Sequence, residues 1–128
     1  MVLGFDKRFI DPIRTGMKIH TLREDRLLRW KAGMTIQMAT GIRTKQYKCF
    51  NETLCRGIQK VQILLDSMPQ IWVDGKYLQN KEIELLAKND GFYELSDFVT
   101  WFSKSKYLRD AGDNMIELRI IHWSDFRY

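Results

Sequence analysis

A chain of 128 residues that is 45% hydrophobic, with seven Phe, five Tyr and four Trp, has the apolar content of one packed domain spanning 1–128 and not that of a disordered segment. No apolar run reaches the length of a membrane helix, and Met1-Val2-Leu3-Gly4-Phe5 meets charge too soon to be a secretory leader, so the expected compartment is the cytoplasm, with no membrane partner. The net charge of +5 is uneven: residues 1–60 carry 13 Lys/Arg against 5 Asp/Glu and residues 61–128 carry 8 against 11, so the basic half suits phosphate-bearing partners such as RNA or nucleotides.

Val2 to Phe5 reads as a short strand. Asp11 then reads as a helix N-cap, Pro12 as the first helical residue and Gly16 as a left-handed stop. The next stretch, Gly16-Met17-Lys18-Ile19-His20-Thr21-Leu22-Arg23, packs two cations, an imidazole and a hydroxyl between that stop and a strand. A regular strand sends Lys18 and Thr21 to opposite faces, so joint action requires Lys18 to sit in the turn. His20 then points away from Thr21 and reads as structural. In 24–30, Leu27, Leu28 and Trp30 are expected to pin a loop or helical turn onto the core.

Met34 to Thr40 alternates as a half-buried strand, with Arg43 to Cys49 as its expected partner. Asn51 and Glu52 break the pattern, and Leu54 to Leu65 reads as one long strand with a bulge near Gly57. Asp74-Gly75 between Ile71-Trp72-Val73 and Lys76-Tyr77-Leu78 is a hairpin signal. Asn80 is expected to cap a helix to about Asn89, ended by Asp90-Gly91. Ser96 starts a second helix, Asp97 to about Ser103, whose Phe98, Trp101 and Phe102 form a core-facing stripe. Lys104 to Asn114 reads as a polar loop and Met115 to Trp123 as a closing strand. Cys49 and Cys55 lack the spacing of a zinc site and read as structural thiols. No Walker loop, dinucleotide fingerprint, zinc-protease motif or nucleophile elbow is present, and neither metal nor cofactor is expected.

About six strands with helices near Asp11 and between Asn80 and Ser103 define an α+β domain with a small, curved sheet. The Gly16-x-Lys18-x-x-Thr21-x-Arg23 pattern resembles the ASCH domains of the PUA-like superfamily. The likeness continues through Lys31-Ala32-Gly33-Met34, Thr40-Gly41-Ile42-Arg43-Thr44, Leu86-Ala87-Lys88-Asn89-Asp90-Gly91-Phe92 and Ser96 to Phe102. It implies a PUA-like β-barrel with helices packed around its mouth. It also implies a cleft for RNA or a modified nucleoside, lined by Lys18, Thr21 and Arg23 with Arg43 and Lys45 helping and Asp90 at the rim.

One branch of that family resembles an amidohydrolase acting on N4-acetylcytidine through a lysine, a threonine and an acid. Those positions fall on Lys18 as base, Thr21 as nucleophile and Asp90 as acid, the last an Asp where the family has Glu. A lysine base requires a lowered pKa, and Arg14 and Arg23 are the cations expected to lower it. A further reading is a protein-interaction module presenting Trp72 and Tyr77 on the hairpin. Oligomeric state is not legible.

Overall fold

Strands are longest where apolar residues alternate most regularly. β5 (Gly57–Leu64) and β8 (Met115–His122) pair antiparallel, with Val61 opposite Leu118 and Ile63 opposite Ile116, all buried. The computed structural model describes residues 1–66, 68–104 and 115–128. Its other elements are β1 (Val2–Gly4), α1 (Ile10–Thr15), β2 (His20–Arg23), β3 (Thr35–Thr40), β4 (Lys48–Leu54), β6 (Gln70–Val73), β7 (Lys76–Tyr77), α2 (Asn80–Asn89) and α3 (Leu95–Ser103). The fold is α+β. One sheet runs β2-β8-β5-β6-β7 and the other β1-β3-β4, with β1 parallel to β3. Among the described residues there are thus eight strands where about six are expected, in two open sheets.

One apolar cluster joins the sheets to the helices. α2 contributes Ile83, Leu86 and Ala87, and α3 contributes Phe98 and Phe102. Complete burial of such a side chain is worth about 1.5–3 kcal/mol, so α3 is held by its Phe98 and Phe102 anchors. The Asp74-Gly75 hairpin forms with Trp72 opposite Tyr77, and it is the outer edge of the five-stranded sheet.

Several local expectations need correction. Asp11 does not cap α1: a 3-10 turn at Lys7–Phe9 precedes the helix, and Asp6 caps that turn by accepting from the Arg8 amide. Leu27 and Leu28 are 81% and 55% exposed, and Trp30 alone of the three packs against the core. Arg43 to Gln46 is a turn, in which Gly41 and Arg43 take left-handed φ values of 65° and 62°, and Asn51 and Glu52 lie within β4. The long strand is two, since Cys55 and Arg56 interrupt it. The α2 cap is Gln79, in a reciprocal box with Glu82, and α3 starts after Glu94. Of the expected polar loop, 105–114 lie outside the described residues.

Two glycines set the path of the chain around Lys18. Gly16 ends α1 at φ 82° with no described atom within 4 Å of the place of a Cβ; Gly91 follows α2 at φ 96°, where a Cβ would meet the Phe9 ring at 2.9 Å and Lys18 Cδ at 3.0 Å. Gly16→Ala should therefore lose about 1 kcal/mol in denaturant unfolding and Gly91→Ala clearly more, roughly 2–4 kcal/mol. Equal losses would contradict the close packing of Gly91 on Lys18.

Candidate active site

A helix stop and two backbone hydrogen bonds place Lys18. α1 stops at Gly16, the Lys18 amide donates to Pro12 O at 2.9 Å, and the Ile19 amide donates to Asn89 O at 2.8 Å. Lys18 is consequently in the turn before β2, as joint action with Thr21 requires, and the turn is tied to the C-terminal end of α2. Asp90 is the residue on which α2 ends, its amide donating to Leu86 O at 3.0 Å.

The Lys18 ammonium donates to the Asp90 carbonyl at 2.5 Å and to Asp90 Oδ1 at 3.1 Å. It thus satisfies both a carboxylate and an orphan carbonyl at the negative end of a helix. Lys18 is 2% exposed and Asp90 3%, so Asp90 lies on the floor and not at the rim. Phe9 and Phe5 present rings 4.7 and 5.7 Å from the ammonium. Burial pulls Lys18 from its ordinary 10.5 down to about 8, against the upward pull of Asp90 and with Arg23 and Arg8 adding to the fall. Arg14 is exposed on α1 and has no part in this; Arg8 takes the place expected of it.

Thr21 is buried, and its hydroxyl oxygen accepts from Arg23 Nε at 3.1 Å. Arg23 also donates to Gly4 O at 2.5 Å and lies 4.9 Å from the Phe5 ring. A cationic donor on the hydroxyl oxygen leaves the Thr21 proton for another acceptor and stabilises an alkoxide there. Lys18, Thr21, Arg23 and Asp90 all line one cleft of about 640 Å³. Its walls are Phe5, Phe9, Phe92 and Trp101, and Arg8 sits over the last three at 5.2 to 5.6 Å. Trp101, placed in the core from its helical spacing, is 39% exposed and faces this cleft.

Behind the floor lies a buried polar network. His20 Nε2 is 2.7 Å from the Tyr128 hydroxyl, which also accepts from Asn89 Nδ2 at 3.0 Å, while His20 Nδ1 is 3.4 Å from Asp90 Oδ1. His122 pairs across the strands with His20, and its Nε2 meets Gln59 Oε1 at 3.0 Å. Burial lowers both imidazoles, His122 to about 3, and raises the Tyr128 phenol, so all three are neutral.

Arg43 and Lys45 are not brought to the cleft: both are exposed on the β3–β4 turn and neither lines it. Sequence reasoning missed Arg8, the aromatic walls and the His20–Tyr128 contact, which join residues far apart in the chain with no shared motif. Cys49 is exposed and Cys55 buried. Among the described residues, no group of three or more His, Cys, Asp or Glu is placed to hold a metal, and no helix is long and apolar enough to cross a membrane. Trp72 is half-buried and Tyr77 exposed, their rings 5.3 Å apart. No protein-family model, curated protein or solved structure matches this chain.

The buried lysine has a stability consequence. Its folded pKa of about 8 is below the ordinary 10.5, so between those pH values the unfolded chain holds a proton that the folded one has released. Stability then rises with pH across that window, by up to about 3 kcal/mol for this group. Comparing wild type with Lys18→Met isolates it: the wild type should gain relative to the variant from pH 8 to 10.5. Parallel curves would contradict the depression.

Proposed function

We propose that the cleft takes up a modified nucleoside and hydrolyses an amide on its base, as an ASCH-type domain of PUA-like architecture. N4-acetylcytidine is the substrate that the resemblance names. The observation that carries this reading is the Lys18–Asp90 contact of 3.1 Å at the floor of an aromatic-walled cleft that also holds Thr21. A volume of about 640 Å³ suits a nucleoside-sized ligand. The Phe and Trp walls suit a planar base.

Movement of one proton from Lys18 to Asp90 turns the ion pair into a neutral base and a neutral acid without exchange with solvent. Burial lowers the barrier to that move, since it penalises the charged pair. Neutral Lys18 then accepts the Thr21 proton as Thr21 Oγ bonds to the amide carbon. Protonated Asp90 gives its proton to the departing amine as the C–N bond breaks. Water hydrolyses the resulting threonyl ester, releasing acetate and restoring both residues. Asp90 reaches Lys18 despite being one methylene shorter than Glu.

The same geometry favours a small ligand over an RNA backbone. Lys18 is buried and paired, so it is not a free cation for phosphate, and Arg43 and Lys45 lie off the cleft. Release of cytidine and acetate from N4-acetylcytidine by the purified protein tests the proposal, read by chromatography. Lys18→Met, Thr21→Val and Asp90→Asn should each lower kcat/KM by roughly a hundredfold or more. Activity should fall above about pH 8, where Lys18 loses the proton that the pair shares. No release by a folded protein excludes this substrate, and a rate still climbing above that pH contradicts the shared proton.

A further inference from the structure

The proton on the His20 ring can be located from its neighbours. Asn89 Nδ2 is a donor only, so the Tyr128 oxygen 3.0 Å away accepts from it and keeps its own proton to give. His20 Nε2, 2.7 Å from that oxygen, receives it. A neutral imidazole whose Nε2 accepts carries its hydrogen on Nδ1. That Nδ1 is buried without a hydrogen-bond partner of good geometry among the described residues, and it faces Asp90 Oδ1 at 3.4 Å. If the Asn89 amide were turned over, the donors would run in reverse and Nδ1 would present a lone pair to a carboxylate. That contact is repulsive, so electrostatics select the first arrangement.

We propose that His20 is a positioning residue of the cleft, held by Tyr128 in the Nδ1–H form so that it keeps the Asp90 carboxylate turned onto the Lys18 ammonium. The groups facing His20 are Asp90, Lys18, His122 and Tyr128. His122 does not compete for Asp90. Gln59 Nε2 donates to Asp74 Oδ2 and to the Tyr128 carbonyl, so Gln59 Oε1 is an acceptor and His122 gives its own Nε2–H there. The arrangement explains why two imidazoles can be fully buried as a cross-strand pair: each has one nitrogen fixed by a different partner.

Long-range proton–nitrogen spectra of the labelled protein test the tautomer without any substrate. His20 should show a protonated Nδ1 and a bare Nε2. Tyr128→Phe keeps the aromatic ring and removes the hydroxyl that fixes Nε2, so the imidazole loses its orientation, Asp90 is held less firmly on Lys18, and the Lys18 midpoint should fall below its wild-type value near 8. The charged groups facing Lys18 in that titration are Asp90, Arg23 and Arg8. An Nε2-protonated His20 in the wild type, or a Lys18 midpoint unmoved in Tyr128→Phe, overturns the proposal.

A turnover arm rests on the hydrolase reading. His20→Asn retains an N–H near the place of Nδ1, whereas His20→Gln moves it toward Nε2. With folding checked by amide spectra, kcat should stay within about tenfold for the first and fall roughly a hundredfold for the second, at unchanged KM. Equal losses in both contradict a role through Nδ1. The predicted tautomer in a protein that does not deacetylate upholds the assignment for His20 and removes only the hydrolase reading.

Discussion

A lysine and an aspartate withdrawn together from water are the constraint on which this structure turns. Desolvating two charges costs several kcal/mol each unless every donor and acceptor is met. Here the ammonium meets a carboxylate, a helix-terminal carbonyl and two ring faces, and the carboxylate faces an imidazole held by a phenol. These groups come from different parts of the chain: Phe5 just after β1, Phe9 before α1, Lys18 in the α1–β2 turn, His20 on β2, Asp90 at the end of α2 and Tyr128 beyond β8. The left-handed stop at Gly16 and the close approach of Gly91 are what bring these pieces within reach of one another.

The arrangement also explains why the cleft is mixed in character. Aromatic walls lower the local polarity and so help depress Lys18, and the same walls offer faces for a planar ligand. Arg8 and Arg23 lie over those rings, where cation–π attraction keeps them near the ammonium. Their positive charge pushes Lys18 toward its neutral form and, at Thr21, supports a developing alkoxide. Binding and proton transfer are thus two uses of one set of side chains.

Sequence reading reached the parts of this that local chemistry dictates. The hairpin at Asp74-Gly75, the buried face of α2 and the stop at Gly16 follow from turn residues and helical spacing, and all form as expected. That Lys18, Thr21, Arg23 and Asp90 belong together is implied by the family resemblance and not by local pattern; all four line one cleft. What was illegible depends on tertiary packing. Leu27 and Leu28 look like anchors because they are apolar, yet a left-handed residue at Leu28 turns them outward. Arg43 and Lys45 look like strand residues facing a ligand, yet the turn at Arg43 carries them elsewhere. His20 was legible only as a residue pointing away from Thr21; its contact with Tyr128 spans most of the chain and leaves no mark in local pattern.

The proposed function requires that the ligand enter the cleft over Lys18 and not the basic β3–β4 turn. The decisive experiment is to map amide and side-chain shift changes while cytidine is added to the labelled protein, since this nucleoside is not consumed. Changes are expected at Lys18, Thr21, Arg23, Phe92 and Trp101. Changes confined to Arg43, Lys45 and their neighbours would place the ligand on the turn and overturn the cleft as its site.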